Sequence, residues 1–187
     1  MCPIVSALRY PVWSGSVWIE LDVPDMGGEA IVVPNVAALV YRDPDRDEIL
    51  LQRRDKPGEV VRGRWELPGG RWRAGETAVE AVVREVREET GIELLAVSAG
   101  AERVEYEPNV AFGTARPLAV VNGIEGAYPS LHVLFECIGE GDPRPLEGET
   151  ADPSWHALAA VREMLLNRPD ELVWHSRAML EAALGRA

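Results

Sequence analysis

The chain reads as an α/β layered domain, and three observations carry that reading: short apolar runs patterned like strands, a long amphipathic segment in the middle, and two more helical segments at the end. With 187 residues, 47% of them hydrophobic, there is material for one domain with a substantial core, and two domains are not expected.

Taken in order, the first piece runs to about Val33 and carries Trp13, Trp18 and "VWIELDV", which alternates like a strand and ends at the turn-rich "PDMGGE". "NVAALVY" and "EILLQRR" follow as two strands flanking the turn "RDPDRDE", and a loop rich in Gly, Pro and Arg leads to "WELPGG". A helix fits Thr77 to Thr90, with Gly91 placed where a left-handed cap ends it. Further strands are expected at "ELLAVSA", "PLAVVN" and "LHVLFECI". "PSWHALAAVREML", starting near Trp155, and "ELVWHSRAMLEAAL" have apolar residues at helical spacing and close the chain as helices.

Charge narrows the function. Acidic side chains outnumber basic ones 31 to 19, and a net charge of −12 argues against sequence-independent binding to nucleic acid or to an anionic membrane surface. A small anionic substrate would then need cations as intermediaries. Cys2 and Cys137 lie far apart and outside any CxxC pattern, which suits a reducing compartment. No apolar run reaches the roughly 18 residues of a membrane span, and the first residues lack the basic start and apolar middle of a signal peptide. The expected location is cytoplasmic.

On the central helix a turn of about 100° per residue puts Val79, Val82, Val83 and Val86 in one stripe, the side expected to pack on a sheet. Glu85, Glu88 and Glu89 fall on an adjoining face at i, i+3 and i+4, where like charges repel unless water or a cation relieves them. Ala78 and Ala81, one to two turns earlier, leave room beside them. Either this is a solvated helix face or it is a seat for a metal ion. Upstream, in "LPGGRWRAGE", the paired Gly69 and Gly70 let backbone come close to a phosphate or metal.

Together Gly70, Glu76, Arg84, Glu85, Val86, Glu88, Glu89, Gly91 and Ile92 match the Nudix box GX5EX7REUXEEXGU, with U apolar, without gap or mismatch. The chain thus resembles the Nudix hydrolases, over residues 34–187, with residues 1–33 left outside as an N-terminal strand extension. The resemblance implies an α/β/α sandwich with a mixed central sheet. It implies hydrolysis of a diphosphate joined to another moiety, usually a nucleoside, with Mg²⁺ or Mn²⁺. By the same resemblance Glu85, Glu88 and Glu89 are the metal ligands, the Gly69 carbonyl is a further one, and Arg84 and Glu76 brace loop and helix. Members of the family differ in where the general base lies; Glu85 is the first candidate. Glu149, in "RPLEGETADPSW", is the second, preferred over Glu147 and Asp152, with an ordinary acidic loop as the alternative.

Arg53 and Arg54 resemble family arginines near the phosphates, and Arg grips phosphate through parallel hydrogen bonds. Arg54 is preferred, and Arg62, Arg64, Arg71 and Arg73 compete with both. Trp65 and Trp72 have the faces to stack on a base, although packing is the commoner use of tryptophan. His132, His156 and His175 lack metal-ligand spacing, and Cys137 in an apolar strand reads as core. Pro108 resembles a marker of ADP-ribose-cleaving members. The expected substrate is a nucleoside diphosphate linked to another moiety, ADP-ribose-like or a nucleotide sugar. Alternatives are (deoxy)nucleoside triphosphates, a nucleotide sensor that does not cleave, and an isoprenoid diphosphate isomerase. Because the box keeps every glutamate, and the isomerase's cysteine and histidine set is missing, hydrolysis is the preferred reading. Trp13 and Trp18 need a surface to cover, either on their own domain or on a partner in a homodimer.

Overall fold

The computed structural model describes residues 32–108, 110–125, 129–145 and 150–185 in full, together with the backbone of two strands nearer the N-terminus. Those strands, β1 (Arg9–Trp13) and β2 (Trp18–Asp22), pair antiparallel as a two-stranded sheet. The central sheet has eight strands: β3 (Val33–Tyr41), β4 (Glu48–Arg54), β5 (Trp65–Glu66), β6 (Gly69–Arg71), β7 (Glu93–Val97), β10 (Ala119–Gly123), β11 (Ser130–Glu140) and β12 (Thr150–Ala157). Its main path runs β10-β11-β3-β4-β12, with β5 on β4, β6 on β3 and β7 on β11. Strands β11 and β3 are parallel and the other pairs antiparallel, so the sheet is mixed, as expected. A separate hairpin, β8 (Glu102–Glu107) and β9 (Val110–Thr114), carries Pro108 exposed at its turn.

Among the described residues three α-helices cover the sheet: α1 (Ala78–Thr90) on one face, α2 (Leu158–Asn167) and α3 (Trp174–Leu184) on the other. The apolar run in β3 explains this. Successive strand side chains point to opposite faces, so a strand without polar alternation must be covered twice. Val36, Ala38 and Val40 pack with Ala78, Ala81, Val82 and Val86 of α1. Ala37, Leu39 and Tyr41 join Val161, Met164, Met179 and Leu180 from α2 and α3. The result is the α/β/α sandwich.

Two local expectations need correction. The buried stripe of α1 is Ala78, Ala81, Val82, Glu85 and Val86, rotated from the all-valine stripe, and Val83 is exposed. The small alanines let the helix lie close to the sheet, and that contact, not the number of valines, sets its rotation. Trp155 lies in β12, paired with Leu50 of β4, and α2 begins only at Leu158. Here the edge of β4 offered a strand partner that helical spacing could not reveal. Helix α1 itself ends as expected, at Gly91 with φ 68°.

One irregularity builds the site. β3 and β4 are paired only at Tyr41 and Ile49. Farther along they part, and the segment 65–71 fills the split, with β5 hydrogen-bonded to β4 and β6 to β3. "WELPGG" is thereby carried into the middle of the sheet beside α1.

Candidate functional site

Helix α1 is fixed at both ends. Thr77 Oγ1 accepts from the Glu80 N–H at 3.2 Å, and Glu80 Oε2 accepts from the Thr77 N–H at 2.6 Å, a capping box. The loop before it is tied to the helix by Arg84, whose guanidinium donates to Glu76 Oε1 at 2.7 Å, Glu76 Oε2 at 3.0 Å and the Arg71 carbonyl at 3.1 Å. Glu76 also accepts from the Arg73 N–H at 2.7 Å, while Trp72 Nε1 donates to the Glu76 carbonyl at 2.9 Å. Burial works against charge on Glu76, but the bonds from Arg84 and Arg73 outweigh it and hold the carboxyl below its ordinary value. Arg84 and Glu76 thus stand where a brace between loop and helix is needed.

The box carboxylates differ sharply in surroundings. Glu88 is exposed and is paired with Arg84 at 3.2 Å and Arg73 at 3.3 Å. Glu85 is buried, 8% exposed, and its Oε1 accepts from Arg84. Burial and the Glu88 charge raise its pKa despite the pull of Arg84. Glu89 faces inward, where its Oε2 accepts from Gln52 Nε2 at 2.6 Å and from the Gly69 N–H at 2.9 Å. Burial, with Glu66 and Glu85 nearby, pushes its carboxyl up to about 8 against those two donors.

Gly69 and Gly70 have separate reasons to lack a side chain. A Cβ on Gly69 would stand 2.2 Å from the Val36 carbonyl oxygen, in a backbone with φ 155°. A Cβ on Gly70 would stand 2.6 Å from Glu85 Oε2. The second glycine is what leaves the Glu85 carboxylate its space.

The oxygen-only set of Glu85, Glu88, Glu89 and backbone suits a hard divalent cation. Among the described residues no three Asp, Glu, His or Cys side chains converge closely enough to hold one, since Glu85 and Glu88 turn to Arg84. The donor set fits a cation in its chemistry, with Arg84 as the positive partner of Glu85 and Glu88.

Arg53 and Arg54 are neighbours on β4 and point to opposite faces. Arg53 lies over the Trp65 ring, 3.9 Å from its centroid, bonds to the Gly63 carbonyl and approaches Asp152 at 4.0 Å. Arg54 holds Glu59 through two bonds of 2.7 and 2.9 Å and stands 3.9 Å from Glu66. Trp65 is further covered by the edge of His156, with ring centroids 4.5 Å apart. Glu149 and Glu147 lie outside the described residues; Asp152, just after them, is exposed in a bulge with φ 47°. His132 stacks on His175 at 4.8 Å, and Cys137 is buried with its thiol pushed up to about 12 by burial.

Two residues at the site escaped sequence reasoning. Gln52 and Glu66 pair across β4 and β5, both buried, beside Glu89. A polar letter inside the apolar run "EILLQ" was the available signal.

A family model described as NUDIX domain matches residues 33–181. Among curated proteins the chain is 46% identical over 52 residues to 8-oxo-dGTP diphosphatase 2 of Mycobacterium tuberculosis, covering 28% of this chain and 36% of that protein. It is 27% identical over 123 residues to nucleoside triphosphatase NudI of Enterobacter sp., covering 65% and 81%. It is 42% identical over 59 residues to ADP-ribose pyrophosphatase of Methanocaldococcus jannaschii, covering 32% and 33%. Except for the Enterobacter protein, the match spans only about a third of each relative's length. Among solved structures, a MutT NUDIX hydrolase from Burkholderia pseudomallei superposes with a TM-score of 0.58 at 26% identity, covering 81% of this chain and 98% of the other.

Proposed function

The chain belongs to the Nudix hydrolase family, and we propose that it hydrolyses the diphosphate linkage of a nucleoside diphosphate joined to another moiety, of the ADP-ribose or nucleotide-sugar kind. The single observation that carries hydrolysis is Glu89, an inward carboxylate held, among the described residues, by neutral donors only, beside Glu85 and Glu66, an arrangement that wants a cation. In this reading Glu85, Glu88, Glu89 and the Gly69 carbonyl hold Mg²⁺ or Mn²⁺. When bound, the cation supplies charge that neutralises the diphosphate and activates water.

The chain's own residues do the rest. Arg84 and Glu76 keep the loop of Gly69 and Gly70 against α1, so that substrate meets a fixed backbone. Glu85 and Glu88, now bonded to Arg84, would be the carboxylates that hold the cation, and the bonds of Arg84 to Glu76 would still tie loop to helix. Glu85, raised by burial, takes the proton of the attacking water, with Glu149 as the second candidate. Arg53, its guanidinium 3.9 Å from the Trp65 ring centroid, and Trp65 are the substrate contacts on one face, with Arg54, bonded to Glu59 on the opposite face, as the other arginine candidate. Triphosphates form the second reading, favoured by the names of the Mycobacterium and Enterobacter relatives.

A panel of nucleoside triphosphates, ADP-ribose, nucleotide sugars and dinucleoside polyphosphates, assayed with Mg²⁺ and Mn²⁺ and a coupled phosphatase, tests both. ADP-ribose-like substrates turning over at least tenfold faster than triphosphates is the expected outcome; no phosphate from any of them would refute hydrolysis. Millimolar Mg²⁺ should also raise the melting temperature, because a ligand that binds only the folded state stabilises it. An unchanged melting curve counts against the carboxylate seat. Finally, the hairpin of β1 and β2 is proposed to build a homodimer: light scattering at twice 20.5 kDa, reverting on deletion of residues 1–30, is expected, and 20.5 kDa would rule it out. Among the described residues no helix is long and apolar enough to cross a membrane.

A further inference from the structure

We propose that Gln52 is a positioning residue, whose amide pins one oxygen of Glu89 and leaves the other turned to the cation and substrate. The inference rests on the reading of Glu89 as a cation ligand. Ile49, Leu50, Leu51 and Gln52 follow one another in β4 at 0% exposure, so an amide sits where the strand otherwise carries only hydrocarbon. Burying such a group unpaired costs on the order of 1–3 kcal/mol, which makes its one partner informative. Strand alternation puts Gln52 on the face of Leu50, which belongs to the core beneath α1. There its Nε2 meets Glu89 Oε2 at 2.6 Å.

The Gly69 N–H reaches that same oxygen at 2.9 Å from β6. Two donors from two strands therefore hold Oε2, while Oε1 accepts no hydrogen bond among the described residues. Gln52 Oε1 is itself buried without a hydrogen bond. A side chain serving only packing would have no reason to keep that unsatisfied acceptor, since leucine or methionine fills the space without it. The bond to Glu89 is what the amide adds. Its neutrality matters as well: Glu85 and Glu88 face a guanidinium, which cancels their charge, whereas an amide orients a carboxylate and leaves the charge for a cation.

The test is Mn²⁺ binding without substrate, measured by calorimetry on the parent, Gln52→Met, Glu89→Gln and the double variant, with melting curves of each in chelator. Loss of an orienting partner costs about tenfold or more in metal affinity, and that weakening is expected for Gln52→Met at an unchanged melting temperature. In the Glu89→Gln background the same change should cost nothing further, because the two act as one unit. Gln52→Asn, which withdraws the donor by one methylene but keeps an amide in the strand, should weaken Mn²⁺ equally and serves if the methionine variant fails to fold. Parental Mn²⁺ affinity in the Gln52 variants while Glu89→Gln is weakened overturns the proposal alone. A full Gln52 effect persisting in the Glu89→Gln background overturns it too. Parental affinity in Glu89→Gln overturns the ligand reading and the proposal with it.

Discussion

Glu89→Gln removes turnover by more than about a hundredfold while the protein stays folded, because the change withdraws charge from the place where charge is needed and leaves shape alone. The amide that replaces the carboxylate can still accept from Gln52 and from the Gly69 N–H, so no buried donor loses its partner. Its effect on stability has a definite sign. A carboxyl raised in the folded state from its ordinary value of 4.5 to about 8 contributes stability below the lower value and loses it as pH rises through the upper one. Without metal, the parent should therefore melt earlier at pH 8 than at pH 5, and Glu89→Gln should lack that part of the decline. Initial rates under saturating Mg²⁺ provide the decisive measurement. Activity within tenfold of the parent would mean that Glu89 is not part of the cation seat.

Much of this was legible from the letters. The strand at "NVAALVY" and the helix from Thr77 to Gly91 could be read because their causes are local: apolar spacing, a capping threonine, a glycine at positive φ. The box could be read because its chemistry is concentrated in one short segment. What could not be read depends on partners distant in sequence. β12 became a strand because β4 left an edge beside it, and "SWHA" has no mark that distinguishes it from a helix start. Gln52 looked like one more letter of a strand, since nothing local indicates that Glu89 will lie above it 37 residues later. Arg53 and Arg54 illustrate the same limit: resemblance alone favours Arg54, and the pleat, not the letters, decides that one turns onto Trp65 and the other onto Glu59.

The two glycines of the loop should separate stability from chemistry. Gly69→Ala places a methyl 2.2 Å from the Val36 carbonyl oxygen and 2.7 Å from the Ala37 Cα, both backbone atoms of the strand at the centre of the sheet. Neither can move without disturbing both core layers, and φ 155° is itself costly for any residue with a Cβ. A loss of about 3 kcal/mol is expected from such strain, which for a domain of this size is roughly 6–12 °C in melting temperature. Gly70→Ala meets a different neighbour. Its methyl would fall 2.6 Å from Glu85 Oε2, the far end of a flexible side chain that can swing aside. The fold should then melt within about 2 °C of the parent, a fraction of the 0.5–3 kcal/mol typical of point changes. Turnover should nevertheless fall at least about tenfold, because a carboxylate has been moved from the place where it acts. Scanning calorimetry and initial rates on the two variants check both halves. Equal melting temperatures for Gly69→Ala and the parent would refute the steric account of the split sheet, and parental activity in Gly70→Ala would remove Glu85 from the reacting centre.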